Sequence, residues 1–281
     1  MVLSRRAVML APGLGWLALL LVIPCGIIFV HSFFERGIYG GIDYVFTLEN
    51  YRRAIDPLYL RIFLASVRIA LTATAIALLL GYPAAYFIAL QAKRRQMPLL
   101  ILIMLPFWSN YLIRTYAWIV LLNREGLINR GLIDLGVIDT PLSLLYNDFA
   151  VITGLVYGYV PFMILALYSS ISKLGPDLRE ASTDLGAGAW RTFLRITLPL
   201  TLPGIAAGCI FVFVLSIGNF VTPDLLGGKQ RAMLGNLIYG QFLTARDWPF
   251  GAALAFILIA IMMLLLSAQA WLVNREREIA P

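Results

Sequence analysis

Six apolar runs, each long enough to cross a bilayer, constrain what this 281-residue chain can fold into. Five of them contain no Asp, Glu, Lys or Arg: Ala7–His31, Ile69–Ala92, Phe149–Ile171, Ile196–Pro223 and Pro249–Asn274. The other, Met97–Ile113, reaches full length by continuing past Arg114 to Leu122. A hydrocarbon core needs about 20 apolar residues per helix. Strand-like alternation is absent, so helices must satisfy the backbone. The expected fold is all-α, a polytopic membrane helix bundle with six transmembrane helices. Composition supports this, because 60% apolar and 13% charged residues cannot cover a soluble globule of this size. Low charge and high apolar content also exclude disorder. The two cysteines, Cys25 and Cys209, lie in apolar runs, and His31 is the single histidine. No disulfide framework or multi-residue Cys/His metal site follows, and no cofactor is expected. The net charge of +7 is scattered between the runs, so membrane lipid is an expected neighbour and nucleic acid is not.

Six crossings place both termini on one side. With the N-terminus inside, the inner segments hold eleven Lys and Arg in 45 residues, and the outer segments hold ten in 87. The positive-inside rule therefore favours cytoplasmic termini, with Lys93-Arg94-Arg95 the strongest local vote. Arg5 and Arg6 would hold the inner end of the first run. That run exceeds a signal-peptide core and is expected to remain as an anchor.

The outer stretch 34–68 contains Leu48-Glu49-Asn50-Tyr51-Arg52-Arg53, which reads equally as a short interfacial helix or a solvated connector. The stretch 123–148 reads as loop with short helical pieces. The inner segment 172–198 is more specific. Pro176 suits a helix start, and Asp177 and Glu180 complement the positive helix end. Leu178, Ala181 and Leu185 form one apolar stripe, and Gly186 supplies a left-handed stop. A second short helix through Trp190 and Phe193 leads to Pro199. The first helix has no core of its own for its stripe, which points to a partner.

Within this loop, Glu180-Ala181-Ser182, three residues, Gly186, nine residues and Ile196-x-Leu198-Pro199 follow one another. This resembles the Glu-Ala-Ala loop of the permease subunits of bacterial ABC importers, with Ser182 where alanine is usual. Gly81-Tyr82-Pro83, Leu105-Pro106-Phe107-Trp108 and Gly218-Asn219-Phe220-Val221-Thr222-Pro223 resemble the spermidine/putrescine branch. The resemblance implies a type I importer permease in the bacterial inner membrane. Its division would be 1–59 as anchor and outer connector, 60–272 as permease core with the coupling loop 172–198, and 273–281 as tail. Glu180, Ala181, Ser182 and Gly186 would carry coupling to a separate ABC ATPase dimer. The other implied partners are a second permease subunit and an extracytoplasmic solute-binding protein.

The remaining chemistry fits a permease better than an enzyme. Gly227-Gly228-Lys229-Gln230 lacks the spacing and hydroxyl of a phosphate-binding Walker A loop, so ATP hydrolysis is expected on another chain. An integral membrane enzyme, the reading of another class, would need an acid or His cluster at an interface, and the sequence offers none. Asn110, Arg114, Asn219 and Asp224 are the polar candidates for a substrate pathway. Tyr111, Tyr116, Tyr157 and Tyr159 are aromatic candidates for an organic cation or, more simply, an interfacial belt. Arg114 reads either as a pathway residue or as a structural partner of backbone or Asp148. The same architecture serves iron(III) and oxyanions, and an oxyanion importer would exploit Arg114 rather than Asp224.

Overall fold

The computed structural model describes residue 10, residues 12–228 and residues 232–279. Arg5, Arg6, Lys229 and Gln230 lie outside the described residues, as do the side chains of Arg179, Arg275 and Arg277. The chain divides into two compact units, residues up to Arg61 with Leu237–Ile261, and Ile62–Asn236 with the residues from Met262 on.

The first unit contains α1 (Pro12–His31), none of whose residues is buried in the chain's own core. Such a surface suits lipid contact. A two-stranded antiparallel hairpin follows, β1 (Phe34–Arg36) and β2 (Ile42–Phe46), with Phe34 opposite Phe46 and Arg36 opposite Ile42. Gly40 and Gly41 turn it with φ near +90° and +85°, values open to glycine without a Cβ penalty. The stretch after it forms a short helix rather than a bare connector, α2 (Glu49–Ala54). Buried Asn50 locks α2 to the preceding turn, its Nδ2 donating to the carbonyls of Ser32 at 3.0 Å and Phe34 at 2.8 Å.

The other tie in this unit is ionic. Asp247 is 1% exposed and accepts from Arg53 at 2.8 Å, while its second oxygen caps the Phe250 N–H at 3.2 Å. Arg53 also lies 4.0 Å from the Phe250 ring centroid. Burial lowers its proton affinity, but hydrogen bonds to Asp247 and Tyr59 outweigh that and hold the guanidinium above its ordinary value. Asp247→Ala is expected to lower stability by about 2 kcal/mol, the loss of a cap and of a partly exposed ion pair together. Thermal unfolding of the detergent-solubilised chain measures this, and Asp247→Asn should lose less because it still caps.

The second unit is built on α3 (Pro57–Ala89), most of which it contains, and on α7 (Asp148–Ile171) and α10 (Leu198–Ile217). Their core packs Ala77, Tyr82 and Ala85 against Met163, Ile164 and Leu167. Small residues permit close approach. A Cβ on Gly204 would come within 2.2 Å of Ser170 Cβ, and one on Gly208 within 2.8 Å of Met163 Sδ. Helices in lipid associate largely through such backbone proximity.

The third apolar run differs from the single helix that charge counting suggests. α4 (Lys93–Met104) continues as a 3₁₀ turn, Leu105–Trp108, and α5 (Tyr111–Leu122) starts after Ser109 and Asn110. The two halves of this span meet at 82°. Pro106 removes a helix donor, Ser109 is extended with ψ 154°, and Asn110 Oδ1 caps the new helix by accepting from Leu112 N at 2.8 Å. Among the described residues, five helices therefore have the length and hydropathy of a span, and the broken pair counted as one crossing makes six. α6 (Leu127–Asp134) lies in the following connector, where buried Asn129 bonds to Asn123 and twice to Leu142. The remaining helices are α8 (Pro176–Asp184), α9 (Ala189–Thr192), α11 (Leu234–Leu243) and α12 (Trp248–Ile279).

Candidate functional site

Two regions of the second unit gather the candidate residues. The first is the loop between α7 and α10. Gly175 is the extended N-cap of α8 and Pro176 occupies its first turn, as the sequence suggests. At the other end Gly186 has φ +74°. Its N–H donates to the Thr183 carbonyl at 2.9 Å, and the Ala187 N–H donates to the Ser182 carbonyl at 3.0 Å. That pair of bonds is a Schellman stop, which requires the left-handed residue.

The apolar stripe stays open to the surface among the described residues. Leu178, Ala181 and Leu185 are exposed, Leu185 at 88%. Glu180 is exposed beside them, whereas Ser182 turns inward and is 5% exposed. The four residues proposed for coupling thus fall into two sets: Glu180, Ala181 and Gly186 outside, Ser182 inside. Burying three such apolar side chains against a partner releases roughly 25 cal/mol for each Å² covered.

The second region surrounds the break between α4 and α5. Asn219, just beyond α10, donates through Nδ2 to Tyr111 Oη and Tyr159 Oη, both at 2.7 Å. Its Oδ1 accepts from Thr222 N at 2.8 Å, and the hydroxyls of Tyr111 and Thr222 are hydrogen-bonded at 2.5 Å, either able to donate. Four polar side chains thus join α5, α7 and the segment after α10. Tyr111 and Tyr159 form part of a bonded network, which a belt of separate interfacial rings does not require. Tyr157 instead packs between Phe107, at a tilt, and Trp118, edge to face, and Tyr116 is exposed. Thr222 is the member that sequence reasoning missed. Its position three residues after Asn219 is the available signal, since an Asn side chain readily caps that turn.

Arg114 adjoins the network. Its guanidinium carbon lies 4.5 Å from the Phe107 centroid and 5.5 Å from that of Tyr111. Phe107 precedes the break and Tyr111 follows it, so one cation spans both halves. Asp148 pairs with Arg68. Arg114 Nε and Nη1 are buried and have no hydrogen-bond acceptor among the described residues. The structure therefore brings both Asn219 and Arg114 to Tyr111, the first at its hydroxyl and the second over its ring. Asn110 is engaged in capping its own helix, and Asp224 is exposed in the first turn of a π-helical segment, Pro223–Gly227. A cleft of about 620 Å³ between α3, the broken span and α7 is lined by apolar groups such as Ile76, Leu102, Phe107 and Val156. None of the four polar candidates lines it.

A bundle of spans that holds an exposed amphipathic helix between two of its core helices has the build of an ABC importer permease. Residues 77–278 match the family described as binding-protein-dependent transport system inner membrane component. The spermidine/putrescine transport system permease protein PotB of Salmonella typhimurium is 47% identical over 252 residues, 90% of this chain and 88% of that protein. PotB of Escherichia coli (strain K12) is 46% identical over 258 residues, 92% of this chain and 94% of that protein. The fold is shared with a solved bacterial ABC transporter involved in the import of the acidic polysaccharide alginate. The TM-score is 0.70 at 17% identity, covering 98% of this chain and 99% of that one. The chain belongs to the family of inner-membrane components of binding-protein-dependent transport systems.

Proposed function

We propose that the chain forms one half of the translocation pathway of an ATP-driven polyamine importer, with spermidine or putrescine as substrate. The observation that supports this substrate is its similarity to PotB along nine-tenths of the chain, at 46% identity. The chain pairs with a second, different permease subunit. A dimer of ABC ATPases hydrolyses ATP and docks on the exposed stripe of α8. An extracytoplasmic binding protein delivers the substrate to the opposite face. Both termini are cytoplasmic, residues 60–272 form the transport core, and Glu180, Ala181, Ser182 and Gly186 belong to the coupling loop.

The pathway passes Asn219 and Arg114 near the broken span and Asp224 at its mouth. A polyamine carries ammonium groups separated by methylenes, so it favours carboxylates and aromatic faces. This chain has no acid within its apolar runs, so its contacts with such a cation are weak and selectivity resides mainly in the binding protein. Uptake of labelled spermidine by cells carrying the whole complex tests the reading. Asp224→Asn should lower uptake severalfold, while Arg114→Gln should retain most of it in complexes that assemble normally. Uptake of an oxyanion in place of spermidine, with the two substitutions exchanging importance, would replace the polyamine reading and leave the permease assignment intact.

A further inference from the structure

Between α8 and α9 the chain consists of Leu185, Gly186, Ala187 and Gly188. Two glycines in four residues make a soft joint, and no Cβ built on Gly186 or Gly188 would meet an atom within 4 Å. A helix pushed by a partner would bend such a joint before moving anything beyond it. One side-chain bond closes the angle. Ser182 Oγ lies 2.7 Å from Thr192 Oγ1, and both residues are buried, at 5% and 8% exposure. Either hydroxyl can donate, and that of Thr192 also reaches the Gly188 carbonyl at 3.3 Å.

Beyond this bond the chain is closely packed. Thr192 is followed by Phe193, whose ring stacks on Trp190 at 5.6 Å and meets Tyr82 and Tyr86 edge-on at 5.7 and 5.9 Å. Tyr82 in turn bonds Thr201 of α10 at 2.9 Å. A π-helical stretch, Phe193–Thr197, joins α9 to α10. Local π geometry is frequent at functional sites in helices.

We propose that the Ser182–Thr192 hydroxyl pair clasps α8 and α9 into one body, so that motion of the ATPase reaches α3 and α10 through Phe193. Ser182 and Thr192 are positioning residues for coupling, and their contribution is distinct from docking. The inference rests on the reading of α8 as the ATPase-docking helix. It also accounts for a hydroxyl at the one position where the loop departs from the Glu-Ala-Ala pattern. With the clasp open, ATP is still bound and hydrolysed, but part of each stroke is absorbed at the glycine joint.

The test measures spermidine transported per ATP hydrolysed by the complete complex in proteoliposomes. Ser182→Ala and Thr192→Val each remove one hydroxyl at nearly constant volume. Each is expected to lower that ratio about fivefold, the scale of one hydrogen bond, with ATPase association unchanged. The double variant should be no worse than Thr192→Val alone, because the Ser182–Thr192 bond is already lost in each single variant, and Ser182→Thr should retain the ratio. An unchanged ratio in both single variants, or additive losses in the double variant, overturns the clasp. So does loss of ATPase association in Ser182→Ala, which would make the residue a docking contact. Leu185→Asp, on the exposed stripe, separates the two layers of argument. If it leaves ATPase association intact, the docking reading fails, whatever the clasp variants do.

Discussion

Replacing Gly186 by valine is expected to weaken ATPase association at least tenfold while the chain still inserts and folds. The residue sits at φ +74° with open space where a Cβ would go, so the added side chain strikes nothing. The penalty is in the backbone. An L-residue in the left-handed region loses roughly 1–2 kcal/mol, and β-branching increases the loss. The chain escapes by unwinding the Schellman stop, which frees the two carbonyls that Gly186 and Ala187 now satisfy. α8 then frays, and Leu178 and Leu185 no longer share one face. Co-purification of the ATPase with the variant measures the effect, and Gly186→Asn should be much milder because Asn tolerates the left-handed region. Normal co-purification with the valine variant would remove α8 as the docking element.

Asn219→Leu is expected to lower transport by more than tenfold with the complex still assembled. Its side chain makes three hydrogen bonds, to two tyrosine hydroxyls and a backbone N–H. Leucine leaves all three groups to find other partners, at about 1 kcal/mol each in this partly buried site. Tyr159→Phe removes one hydroxyl together with its own need for a partner, so its effect should be several times smaller. Transport assayed beside thermal stability distinguishes a loosened bundle from an altered pathway. Equal effects from both substitutions would deny Asn219 its place as the hub.

The spans were legible because their signal is local and additive. A run such as Phe149–Ile171 needs no knowledge of its neighbours to be recognised. The loop was legible for a related reason: Pro176, Gly186 and the stripe between them encode a start, a stop and a face within eleven residues. Charge counting does not detect a helix break. Pro106 and Asn110 carry no charge, so the 82° bend disappears into one apolar stretch. The hairpin was missed although Gly40-Gly41 precedes Ile42-Asp43-Tyr44-Val45-Phe46, because the flanking strand has only three residues. The polar network was illegible for a different reason. Tyr111 and Asn219 are 108 residues apart, and no periodicity reports which helices become neighbours.

The kink between α4 and α5 also says where water must be. Ser109 and Asn110 lie outside any helix, and both are exposed in the isolated chain. Hydrocarbon offers no partner for a backbone amide or carbonyl that has none within the chain, and such a group would be stranded there at several kcal/mol. Lipid tails therefore cannot cover this face. A hydrated vestibule or another protein surface would satisfy it, and on that physical ground the broken span would mark the side of the chain turned away from lipid. The smooth exposed surface of α1, by contrast, is what acyl chains can solvate.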